Sequence, residues 1–189
     1  GVPPKGTEFE SLIEDAKVFL LRKEVKEVLS KALKGVYGIF PCSSDGITIK
    51  VDNKEKFTFT RQEKEGITYS LADYSKSEDF IGMYIVSGGI NIDQHKSLFD
   101  EGEFLMLKLI STRLAEALSE KTAQILEKEW GSPILRPAPG YPSCPNHYHK
   151  KGIFKLLDGE KNTEVRLNEN YMMIPEASIC SFAFQGESL

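Results

Sequence analysis

The sequence predicts an α+β fold, an antiparallel sheet with long flanking helices, and three observations carry that prediction. Apolar residues recur at helical spacing before and after a stretch of short β-rich runs. Those runs follow one another through turn residues, as hairpins do and parallel crossover units do not. The one glycine pair that could open a nucleotide fold, Gly88-Gly89, lacks the further glycines and the phosphate-binding turn of a dinucleotide site. At 189 residues and 21.2 kDa the chain can bury one real core, so one domain over residues 1–189 is expected.

Taken in order, Phe9, Leu12, Ile13, Ala16, Phe19 and Leu20 keep i, i+3, i+4 spacing, with Thr7 where an N-cap stands. Val25, Val28, Leu29, Ala32 and Leu33 continue the period, and Gly35 is positioned to cap it, so residues 7–34 are predicted helical. Three β-rich runs come next, 36–40, 47–51 and 57–60, separated by Ser43-Ser44-Asp45-Gly46 and Asp52-Asn53-Lys54, which predicts a meander. The mixed charges of Arg61 to Gly66 predict an exposed turn. Residues 80–86 are apolar on both faces of a strand and close on Gly88-Gly89, the pattern of a central strand.

From Glu103 to Trp130 a long apolar stripe predicts one helix, stopped by Gly131 and Pro133, with Trp130 packing against the base of the adjoining loop. That loop is dense in proline. A short helix near residues 148–157 and two apolar runs at 171–174 and 179–184, able to rejoin the sheet, complete the chain.

Composition excludes several function classes. No apolar run approaches the ~18 residues of a membrane helix. The chain has 24 Lys+Arg against 28 Asp+Glu, a net charge of −4, so no global field favours nucleic acid or anionic lipid. Cys42, Cys144 and Cys180 are odd in number and widely spaced, which points to a reducing, cytoplasmic setting rather than a disulfide framework.

The informative segment is Ser132 to His147, which holds five of the nine prolines. Proline fixes φ and limits the unfolded chain, so a long loop of this composition is held in one shape at small entropic cost. From Ser132 to Leu157 there is no acidic residue, while Arg136, Lys150, Lys151 and Lys155 add four positive charges, which predicts a local basic patch. Within it Arg136 suits a carboxylate, Gly140 allows close approach to the backbone, and Tyr141 presents a flat face with a polar tip. A proline-stiffened connector with a solvated arginine would share these features.

The run Arg136-Pro137-Ala138-Pro139-Gly140-Tyr141-Pro142-Ser143-Cys144-Pro145-Asn146-His147 closely resembles the R-P-A-x-G-Y-P-x-C-P-[DE]-H signature of the activation domain of cobalamin-dependent methionine synthase. Arg113-Leu114-Ala115-Glu116-Ala117 is similar to that family's R-L-A-E-A helix, and Ile153 to Leu157 to its I-W-x-L-L helix. Residues 35–41, 71–74, 79–82 and 87–89 resemble its G-V-V-G-L-F-P, L-A-D-F, D-Y-I-G and T-G-G stretches, so the likeness spans about residues 34–184. Two family segments, an upstream W-D-x-x-F-F and a late Tyr-Tyr pair, have no counterpart between Gly1 and Leu189, Asn146 replaces an acid, and residues 171–178 keep F-A-M-W-P-G-A-S in part.

The resemblance implies a module that binds S-adenosylmethionine in a shallow groove and supports reductive methylation of cobalamin on another protein. Arg136 would hold the methionine carboxylate, Pro137, Ala138, Gly140 and Tyr141 would line the groove, and Glu116 would add a polar contact. The partners implied are a cobalamin-binding methionine synthase or related corrinoid protein and an electron donor such as a flavodoxin-like protein, with no nucleic acid and no membrane. The chain has no room for the cobalamin, folate or homocysteine domains, and a helix capped at Thr7 favours a freestanding module acting in trans over an excised domain. A module that docks on a corrinoid protein without binding S-adenosylmethionine is the alternative.

Cys144-x-x-His147-x-His149 offers possible metal ligands without a fourth, so no metal site and no catalytic residue is expected. The resemblance makes Cys144 and His147 structural members of the loop. Cys42 and Cys180 sit beside apolar runs as small core residues, and His95 reads as solvated.

Overall fold

The computed structural model describes residues 14–15, 17–64 and 66–186, and of Lys64 and Ile67 only the backbone. The Thr7 cap and the stripe residues Phe9, Leu12, Ile13 and Ala16 lie outside the described residues. Residues 17–21 are helical, the chain bends at Arg22, and helix α1 follows at Lys23–Ala32. Val25, Val28, Leu29 and Ala32 are its buried face, at the spacing the sequence predicts.

Six strands, β1 (Lys34–Ser44), β2 (Thr48–Val51), β3 (Glu55–Thr58), β6 (Asp79–Ser87), β7 (Ile134–Leu135) and β10 (Ser178–Gln185), form one antiparallel sheet. Their order in it is β3-β2-β1-β6-β10-β7. The predicted meander is β1 to β3, turning at Asp45-Gly46 where the Asp45 carboxylate accepts from the amides of Ile47 and Thr48, at 3.0 and 2.7 Å. Two expectations about β1 are corrected. Gly35 caps no helix; it pairs with Val86 inside the strand, because α1 already ends at the extended Leu33. Ser43 and Ser44 also stay in the strand, opposite Lys50 and Ile49.

The segment Arg61 to Gly66 is not simply a turn. Gln62–Lys64 forms β4, paired with β5 (Ile67–Tyr69) in a hairpin that turns at Gly66, φ +80°. Arg61 extends to the Asp73 carboxylate, 3.0 Å away, at the 3₁₀ turn Leu71–Tyr74. His95 lies in another 3₁₀ segment, Ile92–Leu98.

Strand β6 takes the predicted central place between β1 and β10, and every residue from Ile81 to Ser87 is buried. Alternation sends Ile81, Met83 and Ile85 to one side and Tyr84 and Val86 to the other. The first set joins the main core with Phe57, Phe59, Phe182, Ile153 and Leu157. The second meets Leu126 and Ala183, with Trp130 and Ile134 packed alongside. The Trp130 ring covers Gly82 on β6, where a Cβ would stand 2.8 Å from it, in the cluster that Ile134 also joins.

Helix α2 (Glu101–Trp130) covers this second face. It opens on a capping box between Asp100 and Glu103 and closes on Gly131 at φ +67°. The other face carries α3 (His149–Leu156) and the short α4 (Gly159–Thr163), which the apolar periodicity does not separate. Residues 179–184 rejoin the sheet in β10, whereas Met173–Ile174 forms β9 of a separate hairpin with β8 (Arg166–Leu167). The result is helix α2 on one face of the sheet, and α3, α4 and the loop on the other face and the edge.

Candidate functional site

The loop begins as sheet. Ile134 and Leu135, read from the sequence as part of the proline loop, pair with Gln185 and Phe184 as strand. The pairing is carried on by one carbonyl. Pro137 O accepts from the Phe182 amide at 3.2 Å and from the Ser181 hydroxyl at 3.1 Å, so the chain is held on the edge of β10 where proline cannot donate. Pro137 and Pro139 are buried.

Beyond this anchor the chain makes two successive tight turns. The Tyr141 amide donates to Ala138 O at 3.2 Å, with Pro139 at the second position and Gly140 at the third, φ +102°, the arrangement of a type II turn. The Cys144 amide then donates to Tyr141 O at 2.8 Å, with Pro142 at the second position, and the Gly140 amide donates back to Cys144 O at 2.7 Å. Gln62 on β4 ties down the far turn through Pro142 O, 3.0 Å away. The prolines thus stand where their fixed φ is already correct, and the loop is rigid without helix or strand.

What the loop presents differs along its length. Tyr141 is 66% exposed. Arg136 reaches across to α2, where its Nη2 donates to Glu120 Oε2 at 2.8 Å. Burial of the guanidinium opposes its charge, yet the Glu120 hydrogen bond, with a smaller contribution from Tyr84, outweighs burial and raises its pKa. The Tyr84 hydroxyl also shares a hydrogen bond with Ser119 on α2, 2.8 Å away. Glu120 is 60% exposed, so this ion pair is worth at most about 1 kcal/mol and is readily opened or shared. Glu116 lies one helical turn away and is exposed, its Oε2 accepting from Arg113 at 2.7 Å.

Of the predicted residues, Arg136, Pro137, Ala138, Gly140 and Tyr141 share one rigid loop, from which Arg136 reaches α2, and Glu116 lies on that helix one turn from Glu120. Glu120 was missed, although its position four residues after Glu116 is the spacing that puts two carboxylates on one helix face.

The expected basic patch is not what the fold makes. Arg136 is paired to Glu120, and Lys155 to Glu55 at 2.5 Å. Lys150 is only 4% exposed, its Nζ 2.9 Å from His147 Nδ1, and desolvation lowers its pKa. The His147 ring in turn lies directly against Gly140, so Lys150 and His147 back the turn from beneath.

Burial likewise pushes the Cys144 thiol up to about 12, which removes it as a thiolate nucleophile at neutral pH. Cys42 is pushed to about 11 and Cys180 upward too, and all three are buried as free thiols. A cleft of about 280 Å³ opens between β4, β5 and the loop's second turn, lined among others by Phe59, Tyr69, Cys144, Asn146 and His149.

A family model described as the vitamin B12 dependent methionine synthase activation domain matches residues 3–188. The chain belongs to that family. A solved structure of the MetH reactivation domain bound to AdoHcy superposes on this activation domain with a TM-score of 0.84 and 27% sequence identity, covering 97% of this chain and 68% of that one. The fold expected from the sequence, mixed helix and antiparallel sheet, is the fold of that domain.

Within the activation domain, then, the loop that carries the signature is also the continuation of the sheet's edge. Arg136, which reaches α2, stands next to Pro137, whose carbonyl is pinned to β10.

Proposed function

We propose that this activation domain binds S-adenosylmethionine along the Arg136 to Tyr141 loop and the facing side of α2, and presents its methyl group to a cobalamin carried by methionine synthase or a related corrinoid protein. Arg136 holds the methionine carboxylate, Ala138, Gly140 and Tyr141 line the groove after the pinned Pro137, and Glu116 supplies a further polar contact. A flavodoxin-like protein serves as electron donor, and the reaction takes place in the cytoplasm.

The observation that carries the reading is the build of the loop: a guanidinium held by one donor of its five, beside a type II turn whose glycine leaves the backbone open. The likeness to a domain bound to AdoHcy supports it, since AdoHcy is what S-adenosylmethionine becomes on losing its methyl. A sulfonium is an activated methyl donor, so the chain need supply no general base. Its residues bind and orient, and orientation is the main contribution to rate in such a transfer. The domain is thus a component of a methyltransferase rather than a complete enzyme.

Calorimetric titration of S-adenosylmethionine into the protein and into its Arg136→Ala variant tests this. Saturable binding that the variant weakens by about tenfold or more is expected, the effect of removing one charge-assisted contact. Absence of heat up to millimolar ligand would leave a module that only docks on a corrinoid protein.

A further inference from the structure

We propose that Glu120, together with Arg136, forms a two-pronged clamp for the zwitterionic amino-acid end of S-adenosylmethionine, and that Glu120 sets specificity for a free α-ammonium. The inference rests on the binding reading above and names a residue that reading does not use.

Glu120 and Arg136 meet at 2.8 Å through one carboxylate oxygen and one guanidinium nitrogen. Each keeps capacity after that contact. The guanidinium is a planar fork of five donors, of which Glu120 engages Nη2, so a ligand carboxylate can take other N–H groups without displacing it. The carboxylate of Glu120 has a second oxygen, and its side chain is 60% exposed, open to a donor arriving from solvent.

An α-amino acid carries its ammonium and carboxylate two bonds apart on one carbon, which matches a cation and an anion already in contact. A plain carboxylate would be attracted by Arg136 and repelled by Glu120. A zwitterion is attracted by both, so the pair discriminates by charge pattern rather than by net charge.

Neighbouring groups leave this role to Glu120. Glu116 is one turn away on the same helix, but its ion pair, at 2.7 Å, is with Arg113 and not with Arg136. Tyr84 is buried and its hydroxyl is shared with Ser119, so it steadies the guanidinium without reaching solvent. Glu120 is therefore an exposed acceptor in direct contact with the arginine.

The test is calorimetry on the full chain and its Glu120→Gln variant, with two probes: S-adenosylmethionine, and 5′-deoxy-5′-(dimethylsulfonio)adenosine, which keeps the sulfonium charge and lacks the amino-acid end. Glutamine keeps the shape and removes the charge, and a melting curve checks that the variant is folded. The expected result is that the variant binds S-adenosylmethionine about tenfold or more weakly while binding of the dimethylsulfonium probe changes by less than about twofold.

Equal weakening of both probes, unchanged binding of both, or tighter binding of S-adenosylmethionine would each overturn the clamp. Tighter binding would make Glu120 a competitor for Arg136. If the unsubstituted protein binds neither probe, the binding reading itself falls and the clamp with it; if it binds both and the variant does not discriminate, only the clamp falls.

Discussion

Gly140 is constrained twice over. Its φ of +102° lies where side chains are strained, and a Cβ built there would stand 2.2 Å from Cε1 of the His147 ring, whose Nδ1 is held to Lys150. Gly140→Ala must therefore distort the turn or push the ring away. A loss of roughly 1–3 kcal/mol in stability is expected, seen by urea denaturation, together with a larger loss of S-adenosylmethionine binding by titration.

His149 gives a pH dependence. It sits 5% exposed among Phe57, Phe59 and Phe182, and desolvation lowers its pKa to about 4, partly offset by a hydrogen bond to the Thr58 backbone. Between the ordinary value of 6.5 and about 4 the unfolded chain binds this proton and the folded one does not. Stability thus falls as pH falls through that window, by roughly 3 kcal/mol in all. Unfolding measured at several values across the window should show the slope, and His149→Leu should remove it.

At this scale a long motif singles out Arg136, Gly140 and Tyr141 as candidates in the sequence, and the fold shows their shared loop. Glu120 and Lys150 were not legible there, since a sequence shows charge but not which charges the fold buries or brings together.

Among the elements, α2 and β6 depend on one close approach. A Cβ at Gly88 would lie 2.2 Å from the Ser111 carbonyl and 2.9 Å from the Ala115 amide, both backbone atoms of a long helix that cannot yield locally. Gly88→Ala should push α2 off the sheet end and lower the melting temperature by about 6 °C or more, as a loss of roughly 3 kcal/mol does in a domain of this size. Leu126, fully buried between Tyr84 and Ala183, should cost about 2–5 kcal/mol when cut to Ala, measured in the same unfolding assay.

The helix, the meander and the central strand could all be read from local periodicity. Strand β7 could not, because its two residues become strand only by meeting Phe184 and Gln185 some fifty positions later. Gly35 was misplaced for a related reason: a glycine after a helical stripe looks like a cap until its partner Val86 is known.

For the molecule as a whole, net charge is −4 and, among the described residues, no helix is long and apolar enough to cross a membrane. On the proposed reading the domain carries no acid or base for the transfer, so it should hold S-adenosylmethionine without consuming it. Incubated alone with the ligand it should form no AdoHcy. Addition of a cobalamin-loaded partner and a reductant should bring product in proportion to the corrinoid, as chromatography of the nucleoside pool would show. Product formed by the domain alone would point to chemistry of its own.

The three cysteines of the chain, all buried with their thiols held protonated, have a practical consequence. Maleimide dyes need a thiolate they can reach, and the native protein offers none at neutral pH. A single cysteine placed at exposed Ser143, on the second turn of the loop, would therefore be the sole point of attachment. On the proposed reading a fluorophore there would sit on the turn next to the S-adenosylmethionine groove, turning the domain into its own reporter of ligand binding.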